Sequence, residues 1–318
     1  MGPHPAVAEL RSAVRALLPD RGTVLVACSG GADSVALAAA TAFEVCRSGM
    51  AAGLVTVDHA LQAGSVDRAV AVASLGYELG FDPVEIVPVD VTGDGGPESA
   101  ARTARYAALD AVAEALDALV LLGHTLDDQA ETVLLGLGRG SGPRSIAGMR
   151  PRAGRYLRPL LGVRRATTEA ACAALDLPVW IDPHNADPRF TRARLRHEVL
   201  PLLDDVLGGG VGPALARTAD QLREDATALD EIAERFGAES GLTAGDEFEI
   251  TLLIEQPRAI RVRVLRRWAR AAGAGPLTAA HLGGLDRLLA DWHGQGPVPL
   301  PGGCSVTRSS GRLQMHRT

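Results

Sequence analysis

The sequence contains no lysine, and all 32 of its lysine-plus-arginine residues are arginines. This absence excludes every mechanism that needs a protein lysine, including Schiff-base catalysis, pyridoxal phosphate anchoring and the lysine-containing Walker loop. Cysteine is scarce and forms no CxxC pair, so the sequence predicts no zinc knuckle, iron–sulfur site or disulfide framework. The four cysteines are Cys28, Cys46, Cys172 and Cys304.

Long apolar runs are also missing. No stretch approaches the roughly 20 residues that a membrane span requires. The N-terminal segment carries acidic residues and lacks the apolar core of a secretory signal. We therefore expect a cytoplasmic protein that has no membrane partner.

Charge is unevenly distributed along the 318 residues, whose formal net charge is −6. Residues 1–138 hold seven arginines against 18 acids, 139–200 hold twelve against five, and 201–318 hold 13 against 15. A concentrated basic segment in an acidic chain favours a local polyanion site, with a solvated arginine-rich surface as the alternative. At about 150 residues per domain the length predicts two domains. We place them at 1–207, including a basic loop over 139–200, and at 214–318.

Short apolar runs alternate with helical patterns over the first 140 residues, which is typical of a parallel α/β sheet. The predicted strands are 23–28, 53–57, 82–89 and 118–122. The stretch 138–165 is predicted to be a long loop and 208–213 a linker. Helical periodicity recurs at 166–177, 192–203, 214–235, 260–272 and 277–292. The C-terminal domain is therefore predicted to be smaller and mostly helical, with a terminal hairpin over 297–316.

A glycine-rich segment, residues 29–34 (SGGADS), lies directly between the first predicted strand and the helix after it. Adjacent glycines allow successive N–H groups to face one point, and the helix N-terminus adds a positive dipole. We interpret the segment as a phosphate cradle; a glycine-rich turn with a serine N-cap is the alternative. A second strand ends near Asp58 and His59, at the same edge of the sheet. The residues predicted to bind the nucleotide are Ser29, Gly30, Gly31, Ala32, Asp33, Ser34, Asp58 and His59.

Three acidic residues follow the fourth predicted strand in the segment 123–132 (GHTLDDQAET). In a helix, Asp127, Asp128 and Glu131 would share one face, where like charges repel unless they share a cation or an ammonium group. This arrangement favours a Mg²⁺ or amine site, and an acidic first turn that complements the helix dipole is the alternative. The predicted Mg²⁺ ligands are Asp33, Asp127 and Asp128.

Arginines at helical spacing are candidates for phosphate contact. Arg102 and Arg105 would share a helix face, and Arg189, Arg192 and Arg196 would form a stripe with spacings of three and four residues. An amphipathic helix with a solvated basic face is the competing interpretation. The arginines that we expect to contact a polyanion are Arg102, Arg105, Arg139, Arg144, Arg192 and Arg196.

Together these segments resemble the tRNA(Ile)-lysidine synthetases, a branch of the N-type ATP pyrophosphatases, which are also called PP-loop proteins. The resemblance is carried by SGGADS, ARTARY, GHTLDDQAET, the RGSG…GM loop, RPLL, the NADPRFTRARLR stretch and LPGG in the tail. It implies a Rossmann-like PP-loop domain of the adenine nucleotide α-hydrolase-like type. The sequence departs from the family pattern at Thr125, where a second histidine is frequent, and at Ala193, where asparagine is more common.

The resemblance implies a two-step ligase reaction on cytidine 34 of a tRNA(Ile) with a CAU anticodon. The cytosine C2 oxygen attacks the α-phosphate of ATP and releases diphosphate, and free L-lysine then displaces AMP. It further implies ATP as substrate, Mg²⁺ as cofactor and tRNA binding by the six arginines named above. In this scheme Asp33, Asp128 and Arg196 are catalytic, and Asp128 and Glu131 bind lysine. The oligomeric state is left open, with a homodimer as one hypothesis.

Three other functions compete with this interpretation. A PP-loop tRNA thiolase would need a catalytic cysteine pair or a cysteine-ligated cluster, and Cys28 has no neighbouring cysteine in the sequence. A nucleotide or RNA-binding module without turnover would gain nothing from carboxylates beside the phosphates. A small-molecule amidating ligase would leave the basic segment unexplained.

Overall fold

The computed structural model of the chain describes residues 2–59, 64–91, 97–140, 142–242 and 247–317. Its contacts divide the chain into two compact units. The first comprises Met1–Leu135 and Gly148–Arg217, and the second comprises Gly136–Ala147 and Thr218–Thr318. Part of the predicted basic loop, residues 139–147, therefore groups with the second unit, although we expected the whole loop in the first domain. Ser141 of that loop lies outside the described residues.

A six-stranded, mainly parallel sheet forms the centre of the first unit. Its strands are β1 (Thr23–Ala27), β2 (Ala51–Asp58), β3 (Val84–Pro88), β4 (Ala118–Leu122), β5 (Arg152–Ala153) and β6 (Tyr156–Leu157). They are arranged in the order β3-β2-β1-β4-β6-β5, and only the β5–β6 pair is antiparallel. The predicted parallel α/β fold is confirmed. The loop predicted over 138–165 is wrong where β5 and β6 form, because two-residue strands are too short to show periodicity.

Helices connect and cover the strands of the first unit. They are α1 (Pro5–Leu17), α2 (Ala32–Ser48), α3 (Ser65–Glu78), α4 (Pro97–Ala115), α5 (Leu126–Gly138), α7 (Arg165–Ala174), α8 (Thr191–Arg194) and α9 (Leu200–Leu207). Two further helices belong wholly or mostly to the second unit, namely α6 (Pro143–Ile146) and α10 (Val211–Glu239). The sequence analysis did not predict α1. Val7, Leu10 and Val14 follow its helical period, are almost fully buried, and belong to the core that β1, α2 and α7 share.

The predicted linker and one helix end need correction. Gly208, Gly209 and Gly210 all have positive φ, but α10 begins at Val211, so the irregular stretch is shorter than 208–213. Asp204 Oδ1 accepts the Val211 N–H at 2.8 Å and caps the new helix. The helix predicted over 192–203 instead continues to Leu207. Pro201 lies just after a π-helical turn at Leu195–Val199, which locally replaces the regular i→i−4 hydrogen bonds where proline cannot donate one.

The second unit combines helices with a small antiparallel sheet. Its further elements are β7 (Glu247–Glu249), α11 (Thr251–Ile254), α12 (Arg258–Ala271), α13 (Ala279–Ala290), β8 (Val298–Leu300), β9 (Cys304–Ser309) and β10 (Arg312–Arg317). The strand order is β7-β10-β9-β8, so the predicted terminal hairpin is the β9–β10 pair within a four-stranded sheet. Trp268 and Phe248 pack edge to face, with ring centroids 4.9 Å apart, in the core of this unit.

Among the described residues, no single helix combines the length and the apolar composition of a membrane span. Within the same residues, one pair of helices, Thr191–Leu207 and Val211–Glu239, meets both criteria when the two are taken together across a 94° bend.

Candidate active site

The carboxyl ends of β1, β2 and β4 bring the predicted nucleotide and acidic segments to one edge of the sheet. The segment 29–34 follows β1, Asp58 ends β2, and the segment 123–132 follows β4. The close approach of β4 to α2 depends on Gly123, where a Cβ would lie 3.0 Å from the carbonyl oxygen of Asp33. Ligands of open parallel sheets bind at this edge. The three predicted segments therefore form one candidate site.

The segment 29–34 is held in shape by a buried serine. Ser34 Oγ donates to the Gly31 carbonyl at 2.9 Å and accepts the Ser29 N–H at 3.1 Å. Gly30 has a φ of +86°, and its carbonyl accepts the Trp180 N–H at 2.9 Å. Within the described residues no side chain caps the N-terminus of α2, which leaves its dipole available to an anion.

Asp33 lies in the first turn of α2, and its carboxylate is largely buried between two partners. Oδ2 accepts the Arg165 Nε–H at 3.0 Å, and Oδ1 accepts the Thr168 hydroxyl. Burial raises the pKa of Asp33 above its ordinary value, although Arg165 and Thr168 act in the opposite direction. The carboxylate that sequence analysis placed beside the phosphate loop is thus fixed by residues from α7.

Asp128 contacts the N-terminus of α5 with one carboxylate oxygen and Arg165 with the other. Its Oδ2 accepts the N–H and the hydroxyl of Thr125 at 2.8 and 2.9 Å, and Thr125 Oγ1 lies 3.4 Å from the Asp128 N. This reciprocal pair caps α5, which gives Thr125 a structural role at a position where it departs from the family pattern. Asp128 Oδ1 accepts Arg165 Nη2 at 2.8 Å. Burial raises the pKa of Asp128, but Arg165 and the Thr125 donors outweigh it, and the pKa lies below its ordinary value.

Glu131 is completely buried and surrounded by arginines. Its Oε1 lies 2.7 Å from Arg196 Nη2 and 3.9 Å from Arg165 Nη1, and its Oε2 lies 3.4 Å from Arg192 Nη1. Burial raises the pKa of Glu131, against the lowering effect of Arg196. Arg196 Nη2 also reaches Asp128 Oδ1 at 3.4 Å. Three carboxylates and three guanidinium groups therefore form one network, and sequence analysis predicted all of them except Arg165.

Arg165 joins the predicted acids to one another. It contacts Asp33, Asp128 and Glu131, and its own main-chain N–H donates to Asp127 Oδ2 at 2.8 Å. That last contact makes Asp127 a cap for α7. Arg165 was not predicted, because it is one of twelve arginines in residues 139–200 and no motif spacing distinguishes it from the others. Only the excess of arginine in that segment could have indicated it.

Two cavities meet at this edge of the sheet. The larger cavity has a volume of about 610 Å³. Both carboxylates and guanidinium groups of the acidic network line it, namely Asp33, Asp128, Arg165 and Arg196. The smaller, of about 200 Å³, lies over β1 and β2 and is lined by Asp58, His59, Arg68 and apolar side chains. Trp180, Asp182 and Arg105 border both. Sequence analysis did not single out Trp180 or Arg68, whose guanidinium lies 4.2 Å from the Trp180 ring centre.

Two histidines of the site have buried Nδ1 atoms without a hydrogen-bond partner in the described structure. Burial lowers the pKa of His124 to about 3. Burial also lowers the pKa of His59, and Arg105 adds to the effect. Both side chains are therefore neutral near pH 7 and can exchange hydrogen bonds with a ligand.

The arginines predicted to contact a polyanion fall into three groups. Arg192 and Arg196 belong to the acidic network. Arg102 is exposed beside the Tyr106 ring on α4, one turn before the cavity-lining Arg105. Arg139 and Arg144 belong to the second unit, where Arg144 pairs with Asp230 at 2.6 Å. Arg189, of the predicted stripe, instead pairs with Asp187.

Oxygen ligands for a metal ion are few at the site. Within the described ranges, no three His, Cys, Asp or Glu side chains converge closely enough to hold a metal ion. Mg²⁺, however, is commonly bound by one or two carboxylates together with water and substrate phosphates. Asp33 and Asp128 both line the larger cavity and contact the same guanidinium group, so they fit such a site. Asp127 is not among the residues that line it.

Fold and site together define a PP-loop protein. Residues 6–203 match the PP-loop domain family, and residues 248–314 match the TilS substrate binding domain. The chain belongs to the tRNA(Ile)-lysidine synthase family. The predicted resemblance and fold class are confirmed, with the addition of the second antiparallel sheet.

Full-length similarity supports the family assignment. The chain is 56% identical to the tRNA(Ile)-lysidine synthase of Thermobifida fusca, with 98% of each chain covered. It is 53% identical to that of Streptomyces coelicolor, with 98% of this chain and 99% of the relative covered. Identity to that of Salinispora tropica is 54%, over 97% and 96% of the two chains.

The fold also resembles that of a solved protein. It is the U34-tRNA thiolase NcsA from Methanococcus maripaludis with its 4Fe–4S cluster, at a TM-score of 0.57 and 19% identity. The match covers 69% of this chain and 78% of the thiolase. At this identity the similarity concerns the fold alone.

Proposed function

We propose that the chain is a tRNA(Ile)-lysidine synthetase. It joins free L-lysine to C2 of cytidine 34 in the CAU anticodon of tRNA(Ile) and converts ATP to AMP and diphosphate. The observation that carries the proposal is the network at the sheet edge, where Asp33, Asp128 and Glu131 meet Arg165 and Arg196 beside the loop 29–34. A phosphate cradle next to paired acids and arginines suits a reaction that handles a triphosphate and an ammonium group together.

The nucleotide is assigned to the two joined cavities. The smaller one offers apolar walls from β2 and α3, with Trp180 and Arg68 at its border, which suit an adenine base. The triphosphate would then lie over the N-terminus of α2 in the larger one. The main-chain N–H groups of this helix end and the guanidinium of Arg196 would neutralise the charge of the departing diphosphate. Asp33 and Asp128 would hold Mg²⁺, which supplies further neutralisation of the phosphates when bound.

The cytosine must leave its stack to reach the α-phosphate. An anticodon loop is single-stranded, so this unstacking is inexpensive. The C2 oxygen then attacks the α-phosphorus, and the bond to the diphosphate breaks. In the second step the ε-ammonium group of lysine loses a proton to water and the free amine attacks C2. AMP leaves with the electron pair of the C2–O bond, and the nitrogen releases a second proton to water.

Asp128 is the carboxylate that we assign to the lysine. It lines the larger cavity, whereas Glu131 is fully buried behind Arg196. A carboxylate with a lowered pKa remains ionised and can bind an ammonium cation in the cleft. Glu131 would reach the amine only by releasing its arginines, so we assign it to orienting Arg196.

The thiolase alternative is not favoured by the cysteines. Cys28 and Cys172 are both buried near the loop, and burial raises the pKa of each thiol, that of Cys172 to about 11. Thiolates are the reactive and ligating form, and a raised pKa opposes it.

Lysine incorporation tests the proposal. The chain is incubated with an unmodified CAU tRNA(Ile) transcript, ATP, Mg²⁺ and radiolabelled lysine, and label in tRNA and release of AMP are measured. We expect both, and we expect D128N to abolish them. D20N is the matched control, because Asp20 is exposed and precedes β1, at the opposite edge of the sheet.

Two other outcomes would contradict the proposal. ATP–diphosphate exchange that needs tRNA but incorporates no lysine would indicate another nucleophile and reopen the thiolase alternative. Absence of ATP turnover under every combination would indicate a binding protein without ligase activity.

A further inference from the structure

Four arginines and one carboxylate of the second unit lie close to one another. Arg263, Arg266 and Arg270 lie on one face of α12 at spacings of three and four residues. Arg144 comes from the segment 136–147. Arg144 Nη2 lies 2.6 Å from Asp230 Oδ1, and Arg263 Nε lies 2.9 Å from the same atom. We refer to these five residues as the Asp230 cluster.

The Asp230 cluster has more positive than negative charge, with four guanidinium groups against one carboxylate. Arg266 shows the consequence. Its Nε–H is buried and has no hydrogen-bond partner within the described residues. Burial lowers its pKa, and Arg144, Arg263 and Arg270 lower it further, whereas Asp230 acts in the opposite direction. A buried donor among like charges is unfavourable unless an anion completes the arrangement.

Other arginines of α12 have acids of their own. Arg258 and Arg261 contact Asp286 at 3.0 and 2.8 Å, and Arg267 contacts Glu234 at 2.8 Å. The helix therefore has ion pairs outside the Asp230 cluster that help to hold it in place. Solvent also reaches the cluster, because the side chains of Arg144 and Asp230 are 46% and 26% exposed. An anion from solution can therefore reach the cluster at the guanidinium of Arg144.

We propose that the Asp230 cluster binds a phosphate of the RNA backbone. Guanidinium groups donate paired hydrogen bonds that match phosphate oxygens, and Arg266 offers a donor that the protein leaves unused. Asp230 occupies the position beside Arg144 and Arg263 that a phosphate would take, so it competes with the phosphate for them. The RNA assignment rests on the proposed function, because the tRNA is the polyanion that the reaction requires besides ATP, whose assigned cavities lie in the first unit.

Salt-dependent tRNA binding by R266Q tests the site. Loss of one phosphate contact lowers the slope of log affinity against log salt by about 0.9. We therefore expect R266Q to bind the CAU transcript more weakly than wild type at about 50 mM salt. The ratio of the wild-type affinity to the R266Q affinity should be about 3.5-fold smaller at about 200 mM salt. Fluorescence anisotropy measures both values. R258Q is the matched control, because it removes the same charge from the same helix outside the Asp230 cluster.

D230N tests the proposal in the opposite direction. Removing the competing carboxylate frees Arg144 and Arg263 for the phosphate, so we expect tighter tRNA binding and a steeper salt slope than wild type. A misfolded variant would not bind more tightly, which separates the site from a purely structural role.

Three results would overturn the inference. R266Q could bind with unchanged affinity and slope, or R258Q could lose as much as R266Q, which would indicate general electrostatics. Inorganic phosphate could raise the melting temperature of wild type but not that of R266Q, while the two proteins bind the tRNA with equal affinity. That result would indicate that free phosphate is the ligand. Failure of the wild-type chain to bind the transcript would instead refute the proposed function, and with it the RNA assignment.

Discussion

Arg165 should be the residue on which the acidic network depends most. Its guanidinium contacts Asp33 at 3.0 Å, Asp128 at 2.8 Å and Glu131 at 3.9 Å, and its side chain is only 19% exposed. R165M removes the cation and leaves buried carboxylates close together. Breaking such a pair costs about 3–5 kcal/mol of unfolding free energy, and partial protonation of the carboxylates favours the lower value. For a unit of this size, about 3 kcal/mol corresponds to about 6–12 °C in melting temperature.

The loss should depend on pH with a definite sign. Burial already raises the pKa of Asp33 and Glu131 in the folded chain, and removal of Arg165 raises them further. A carboxyl whose folded pKa exceeds its unfolded value contributes stability that is complete below the unfolded pKa and is lost as pH rises through the folded pKa. The deficit of R165M should therefore be largest near pH 8 and shrink toward about pH 5.

Thermal melts of three variants over this pH range provide the assay. R164M is the matched control, since Arg164 is the exposed neighbour and its side chain does not cap α7. R165K should fall between R165M and wild type, because an ammonium group cannot reach two carboxylates as a planar guanidinium does. If R165M melts within about 2 °C of R164M at pH 8, where about 6–12 °C is expected, the reasoning is refuted.

Three further predictions follow from contacts of the same edge. G123A should lower both the melting temperature and diphosphate release, because its Cβ would lie 3.0 Å from the Asp33 carbonyl oxygen; unchanged values would mean that β4 and α2 separate freely. The pKa of His124 is about 3 in the folded chain, against an ordinary value of 6.5. Between about pH 6.5 and 5, the free energy of unfolding measured in urea should therefore fall by about 2 kcal/mol more in wild type than in H124Q. Equal decreases in the two proteins would contradict this. T125A should cost about 1 kcal/mol by removing the cap of α5, and T125S should restore it; equal urea midpoints for the two variants would contradict this.

Local motifs explain why part of the site could be predicted. The segments 29–34 and 123–132 each follow a strand directly, and parallel strands end at one edge of the sheet. The sequence therefore indicates that Asp33 and Asp128 lie close together, although 94 positions separate the two motifs' first residues. The prediction that Asp33 and Asp128 are close requires only the order of the strands and no other long-range contact.

Residues that depend on long-range packing could not be found in this way. Arg165 reaches Asp33 across 132 positions and belongs to no repeating pattern. Trp180 contributes through its main-chain N–H to Gly30, which no side-chain motif records. The two-residue strands β5 and β6 exist only because β4 offers a free edge, so their own residues carry no strand pattern.

The absence of lysine determines how this site responds to pH. Each cation that the structure describes in the acidic network is a guanidinium, which stays protonated throughout the accessible range. Any response must therefore come from carboxylates or histidines. Burial raises the pKa of Asp33 and Glu131, whereas the pKa of Asp128 lies below its ordinary value. As pH falls, Asp128 is thus the last of the three to lose its charge. A lysine ammonium placed against Asp128 would keep its partner under acid conditions that protonate the other two. Activity lost on mild acidification would therefore report Asp33, Glu131 or a histidine of the site rather than release of lysine.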